Sequence, residues 1–521
     1  MDDAPSAQFP EQFNMAAYFL DDRIAEGRGD RTAVIDAAGR HSYSEIHDRA
    51  GRIAAQLWSA GVRPEDRCLI GMSDSADFAA AFFGVLKAGG VVAMVNPELP
   101  DEEYAYYLQY TRCRAALLDP GLLRRIGHLL PQADCLRVVL SLDADLPGAL
   151  VLGDAAAPRP TYLMHRDDPS VWLFTSGSTG KPKAAVHLHH DFPYNTERYA
   201  KQVLGIGPED VTLSVPKLYF GYATGTNLLF PFAVGATTVL FPERPTPERL
   251  GHLVRRHGAT ILTAVPTMLN KLLEYDPGAD LRPLRLATSA GEALPEPLYR
   301  RFVSTFGVEV LDGIGSAELF HIYISNRLGE VRPGSLGRLV PGYDARVVRA
   351  DGSDAAPGEI GALWVRGDSA ALCYWQAHER SKHTLRGDWV VSEDLFYRDA
   401  EGYFYFAGRA DDLLKISGIY VSPLEVEDVL LSHPRVLEAA LVGEENEVGL
   451  VRGLAYVVLR EGDPGAELAR ELIDHVKARL VHYKAPSRVE FVDALPRTAT
   501  GKIQKNQLRD KYWQGREKRV G

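Results

Sequence analysis

Residues 173–183 read LFTSGSTGKPK, a run in which hydroxyl side chains and glycines crowd together and lysines close the segment. A strand ending in such a loop leaves several backbone N–H groups without partners. With the Ser and Thr hydroxyls they form a concave donor surface, and polyphosphate is its natural guest. The loop is not a Walker A sequence, because a glycine would have to stand five positions before Gly180, where this chain has Thr175. A solvated Ser/Gly linker is the plain alternative. The apolar runs 171–174 and 184–186 read as two buried strands joined by the loop, which favours a nucleotide phosphate clamp.

Four further segments carry candidate chemistry. LDGIGSAE, residues 311–318, follows a short strand and ends in a carboxylate. Gly313 and Gly315 would let a flat ring approach the backbone, and Glu318 offers oxygen, the ligand a magnesium ion prefers. A glycine-containing strand-to-helix turn with a capping Glu is an equal reading. SAGEALP, residues 289–295, is a second strand-to-turn segment holding Gly291 and Glu292. In the stretch 391–418, Asp394 and Arg409 fall at ends of expected strands, and a carboxylate there can accept hydrogen bonds from ribose hydroxyls. In LPRTATGKIQKNQLR, residues 495–509, Lys502 stands just before an expected final helix. A positive charge there opposes the helix dipole, which favours a role other than helix initiation.

The elements that must position these residues follow from the rest of the chain. With 521 residues, 46% of them hydrophobic, it can bury a large core divided into two or more domains. The 58 basic and 69 acidic side chains give a net charge of −11, which argues against a nucleic-acid-binding face and points to a small-molecule partner. Cys68, Cys113, Cys135 and Cys373 form no CxxC pair, so neither a zinc ribbon nor a disulfide framework is expected, and a reducing cytoplasm fits. The most apolar stretch, 78–95, is interrupted by Lys87, Gly89 and Gly90, so no membrane span is expected.

Helical patterns at 45–59, 78–87, 247–257 and 267–275 alternate with short apolar strands at 68–72, 91–95, 237–241 and 260–263. The fold class is therefore α/β, a large N-terminal domain of βα-alternating sheets spanning residues 1–410. Within it, 331–410 is rich in strands separated by Gly and Asp turns and reads as an antiparallel β subdomain. Residues 411–521 read as a small mobile α+β C-terminal domain, with helices over 423–431, 467–480 and 504–513. Leu468, Leu472, Val476 and Leu480 mark the buried face of the second.

Taken in order, TSGSTGKPK, SAGEALP, DGIGSAE, GRADD and RTATGK resemble the adenylate-forming superfamily of acyl-CoA synthetases, luciferases and peptide-synthetase adenylation domains. The stretches PKLYFGYATGTNLLFPFAVGATT and DDLLKISGIYVSPLEVE look like its benzoate-CoA ligase branch. The resemblance implies an ATP-dependent ligase acting on an aromatic carboxylic acid. The acid would attack the α-phosphorus of ATP to give an acyl-adenylate and pyrophosphate, and the thiol of coenzyme A would then displace AMP. Transfer to an amine or a carrier protein, or a catalytically silent nucleotide-binding scaffold, are the alternatives.

Carried over by residue, the resemblance implies that Thr175, Ser176, Gly177, Ser178, Thr179, Gly180 and Lys183 hold the β- and γ-phosphates. Gly291, Glu292, Asp312 and Gly313 would border adenine, with Ser316 also on the nucleotide, and Asp394 and Arg409 would hold the ribose. Glu318 would meet magnesium with Thr179 as neighbour, Lys502 would drive adenylation, and Asp411 would be the hinge of the small domain. The acyl pocket would be lined by Tyr219, Phe220, Gly221, Tyr222, Ile314, Gly315 and His321; if a helix begins at Glu318, His321 shares its face, and a histidine satisfied in the core is the alternative. The chain departs from the superfamily pattern in having Ser392-Glu393 before the ribose aspartate and Ala317 before the glutamate. Glu393 is expected to add negative charge near the ribose.

Overall fold

The apolar stretch that begins near residue 78 is a helix between two sheets. In Ala76–Lys87 every side chain except that of Asp77 is buried, as expected of a helix that is apolar all round. It packs against strand Thr32–Asp36 of one sheet and against Arg67–Gly71 and Val91–Met94 of the other. Lys87, 1% exposed, is neutralised there by Asp21 and also donates to Thr161 at 2.7 Å. Among the described residues no helix is long and apolar enough to cross a membrane.

The computed structural model describes residues 9–143, 145–146, 148–155, 157–175, 181–275, 281–409, 414–416, 419–445, 451–497, 503–505 and 507–508. Of the nine strands in the first sheet, the six from Thr32–Asp36 to Val310–Gly315 run parallel. An antiparallel partner, Ile322–Ser325, follows Val310–Gly315 directly. The second sheet has eight strands and is parallel from Val91–Met94 outward through Leu150–Val151. On its other side the hairpin Pro169–Thr175 / Lys183–Leu188 is antiparallel, and Cys373–Tyr374 pairs with its outer strand.

A third, five-stranded sheet between Asp344 and Arg409 is antiparallel throughout. Strand Arg338–Leu339, expected within this subdomain, pairs instead with Ile322–Ser325 at the edge of the first sheet.

Local signals set several helix ends. Ser42 and Glu45 form a reciprocal capping box at Tyr43–Ser59. Thr246 caps Pro247–His257, and Gly258, with φ +64°, ends it. In the C-terminal portion, Val436–Glu445, Val451–Leu459 and Arg488–Phe491 form a sheet over which Pro423–Leu431 and Ala466–Lys477 close a separate core. Leu468, Leu472 and Val476 point into that core, and Leu480 packs at its margin. The boundary expected at 410/411 lies outside the described residues.

Candidate active site

Thr175 and Lys183 are cross-strand partners, the last pair of the antiparallel hairpin before its loop. The loop's Ser176, Gly177, Ser178, Thr179 and Gly180 lie outside the described residues. The outgoing limb is anchored by the Tyr106 hydroxyl, which donates to the Pro182 carbonyl at 2.8 Å. Partial burial lowers the pKa of Lys183; the charge of Arg380 adds to the effect, while Glu393 and Glu318 oppose it. The stem of the hairpin thus ends in a cation that feels the charge of Glu318.

No helix begins at Glu318. The chain makes one 3-10 turn, Ala317–Leu319, then Phe320 adopts φ +66° and the strand Ile322–Ser325 returns alongside Val310–Gly315. His321 therefore does not share a helical face with Glu318. The two glycines owe their place to this return: a Cβ on Gly313 would sit 2.6 Å from the Ile324 carbonyl oxygen, and one on Gly315 would sit 2.5 Å from that of His321. Close backbone pairing, rather than approach of a flat ring, is what excludes a side chain at both.

Glu318 is held on both sides. Its carboxylate accepts a hydrogen bond from the Tyr374 hydroxyl, and its carbonyl accepts from the Ala371 N–H at 2.8 Å. The carbonyl of neighbouring Ala317 is bonded by Nε2 of the buried His187 at 2.6 Å, and His187 Nδ1 meets Asp191 at 2.7 Å. Among the described residues no group of three His, Cys, Asp or Glu side chains could hold a metal ion alone. A single carboxylate nevertheless suits magnesium, which keeps several waters and takes its remaining oxygens from substrate phosphates.

The nucleotide-side motifs converge through strand pairing. Ser289 and Asp312 are register partners on parallel strands, which sets SAGEALP beside LDGIGSAE. Gly291 turns the chain with φ +88° and has open space where a Cβ would lie, while Glu292 accepts from Thr267 Oγ1 at 2.9 Å. Burial raises the Asp312 carboxyl to about 8, and its Oδ1 has no hydrogen-bond partner.

Asp394 does not end a strand. It lies inside Trp389–Arg398, opposite Arg409, the last residue of Phe404–Arg409, and next to a register shift at Leu395 and Phe396. Its N–H donates to Ser392 Oγ at 2.9 Å. Buried Tyr323 joins the two regions, since it hydrogen-bonds Ser316 and feels the charges of both Glu318 and Asp394. Glu393 is not an added free charge near the ribose, because it pairs with Arg380 at 2.5 Å.

The expected pocket residues divide into two groups. Tyr222 is half-buried, donates its hydroxyl to Thr288 Oγ1 at 2.8 Å and accepts at its carbonyl from His321 Nε2 at 2.9 Å. His321, 2% exposed, is surrounded by the rings of Tyr199, Tyr222, Phe230 and Phe320. Burial lowers its pKa to about 3, so the imidazole is neutral, and its Nδ1 has no partner. Ile314 and Gly315 lie on the strand beside it. Tyr219 and Phe220 instead pack on each other at 4.8 Å, with Tyr219 near Asp74 and Glu98, and Gly221 approaches Leu173.

Lys502 and Asp411 lie outside the described residues. Of the described residues nearest to Lys502, Arg497 and Ile503 form an antiparallel bridge, and Arg497 pairs with Glu438 at 2.7 Å. Thr288, Tyr323, Tyr374, Arg380 and His187 were not singled out from sequence. Thr288, Tyr374, Arg380 and His187 each act on a singled-out residue from a distant part of the chain, a relationship without local signature, while Tyr323 reaches both nearby Ser316 and distant Asp394.

The arrangement matches known proteins along nearly its whole length. The AMP-binding enzyme family model matches residues 21–375, and the AMP-binding enzyme C-terminal domain model matches 425–502. A benzoate–CoA ligase of Thauera aromatica is 42% identical over 97% of this chain and 97% of its own. The crystal structure of a benzoate CoA ligase from Burkholderia xenovorans LB400 superposes with TM-score 0.86 at 42% identity, covering 95% of this chain and all of that one. An anthranilate CoA ligase solved in complex with anthranoyl-AMP gives TM-score 0.91 at 35% identity over 98% of this chain and 99% of its own. With both family models matched and relatives 42% identical along nearly the whole chain, the chain belongs to the family of AMP-binding, adenylate-forming enzymes, in its benzoate–CoA ligase branch.

Proposed function

We propose that this protein is an AMP-forming aryl–CoA ligase, which activates a benzoate-like acid with ATP and passes the acyl group to coenzyme A. The observation that carries this reading is the placing of the Thr175–Lys183 hairpin and the Glu318 turn around shared neighbours. The chamber of Tyr222 and His321 adjoins the same turn. Flat apolar walls with a neutral imidazole suit an aromatic ring better than an alkyl tail.

In the first half-reaction a carboxylate oxygen attacks the α-phosphorus and pyrophosphate leaves. In the second the thiol attacks the acyl carbon and AMP leaves. Thr175, Lys183 and the loop between them hold the β- and γ-phosphates, and Asp312, Gly313, Gly291 and Glu292 border the base. Ser316 lies on the nucleotide side, and Asp394 and Arg409 hold the ribose. A magnesium ion at Glu318, with Thr179 as neighbour, would offset charge on the phosphates. Lys502 approaches the acid and phosphate during adenylation, and Asp411 is the hinge about which the small domain turns afterwards. Four free cysteines, two of them buried, fit work in the cytoplasm.

The test is pyrophosphate and AMP release with a panel of benzoates and short fatty acids, each with coenzyme A, an amine or neither. Benzoate-dependent release that yields a thioester supports the reading. Release that yields only amide moves the acceptor to an amine, and no release with any acid refutes activation.

A further inference from the structure

The side chains around Glu318 include one cation to which the family resemblance gives no part. Arg380 projects from the short helix His378–Thr384, which directly follows the strand Cys373–Tyr374 paired with the outgoing limb of the phosphate hairpin. Its guanidinium reaches the Tyr374 hydroxyl, the group that binds Glu318, and its charge is felt by Lys183. Lys183, Glu318, Tyr374, Arg380 and Glu393 therefore form one network beside the loop stem.

We propose that Arg380 is a second phosphate-binding cation of this site, occupied by Glu393 in the free protein and released to the polyphosphate when nucleotide binds. This rests on the reading of the hairpin as the triphosphate clamp. Three observations support it. The Arg380 Nε is buried and has no hydrogen-bond partner, so a donor of the fork is still available. A planar guanidinium matches phosphate oxygens with two parallel bonds, which a lysine does not. The anion now paired with it is exchangeable, because the Glu393 side chain is 52% exposed and solvent-exposed ion pairs of that kind are weak.

Glu393 also explains how two cations stay together without a ligand. Lys183 and Arg380 repel one another, and the carboxylate of Glu393, paired with Arg380, offsets that repulsion. A polyphosphate brings more negative charge than one carboxylate and displaces it.

Calorimetric titration of the full chain with magnesium pyrophosphate, with no acid present, tests the proposal. Arg380→Ala is expected to weaken binding about tenfold or more, Glu393→Gln to tighten it severalfold, and the double variant to match Arg380→Ala alone. Arg380→Gln, which keeps most of the side chain's length, serves if the alanine variant unfolds, and circular dichroism reports the fold of each. Unchanged binding in both Arg380 variants overturns the proposal, as does tightening by Glu393→Gln that persists without Arg380. If the parent protein binds pyrophosphate and forms AMP while the variants behave like it, only the role of Arg380 fails. If the parent does neither, the ligase reading fails with it.

Discussion

The Tyr222 hydroxyl donates to Thr288 Oγ1 at 2.8 Å, which ties the aromatic cluster around His321 to the strand Leu286–Ser289 that leads into SAGEALP. Thr288→Val leaves a buried hydroxyl without an acceptor and is expected to cost about 1–3 kcal/mol of stability. Tyr222→Phe in the same chain removes the other partner and should return most of that loss. Thermal unfolding of the single and double variants checks this, and equal losses in both would contradict it.

The pH dependence of stability should carry the mark of Asp312. Burial raises its carboxyl from 3.8 to about 8, so the folded chain keeps a proton that the unfolded chain releases. Stability from this group is complete below about 4 and is lost as pH rises through 8. Asp312→Asn should therefore match the parent near pH 4 and exceed it by a few kcal/mol at pH 8. The neutral His189 and His321, each lowered to about 3, act oppositely and weaken the fold as pH falls below 6.5. Urea unfolding at several pH values separates the two trends.

At the glutamate turn, Glu318→Gln should reduce kcat by about 10²–10³ while leaving the fold intact. Tyr374→Phe removes only the group that orients the carboxylate and should cost about 10–100-fold. Steady-state rates over a range of magnesium concentrations distinguish them. A weakened apparent magnesium affinity is expected in both, and unchanged affinity in Tyr374→Phe would mean that the tyrosine serves packing alone.

Lys502→Ala should nearly abolish adenylate formation. A unit charge at about 4 Å and an effective dielectric near 20 contributes roughly 4 kcal/mol, about a thousandfold in rate if felt only in the transition state. Thioester formation from a supplied benzoyl-adenylate should be largely spared. Equal loss in the two half-reactions, measured separately, would remove the lysine from its assigned role.

What was legible in the sequence was local. The helix Pro247–His257 is read to the residue, because Thr246 caps it, proline opens it and Gly258 ends it. The hairpin Pro169–Thr175 / Lys183–Leu188 was legible for a similar reason, two apolar runs flanking a hydroxyl-rich loop. The turn at Glu318 was not: Gly313 and Gly315 mark a close backbone approach without saying to which strand, and the positive φ at Phe320 has no mark in residue type. Asp394 was placed at a strand end because the expected turn residues surround it, whereas pairing with two neighbouring strands extends that strand well past it. The partners of the motif residues were least visible: Tyr374 meets a glutamate 56 positions away, and only the folded sheet brings them together.

The imidazole of His321 is hemmed in from behind. A Cβ on Gly225 would come within 2.4 Å of its Cδ2, and the ring is already bonded to the Tyr222 carbonyl. That side has no slack to yield. In the proposed acyl chamber, a descendant that took bulkier acids would have to sacrifice the histidine ring or move a different wall, so such changes should be recorded in the residues facing it and not in the glycine behind.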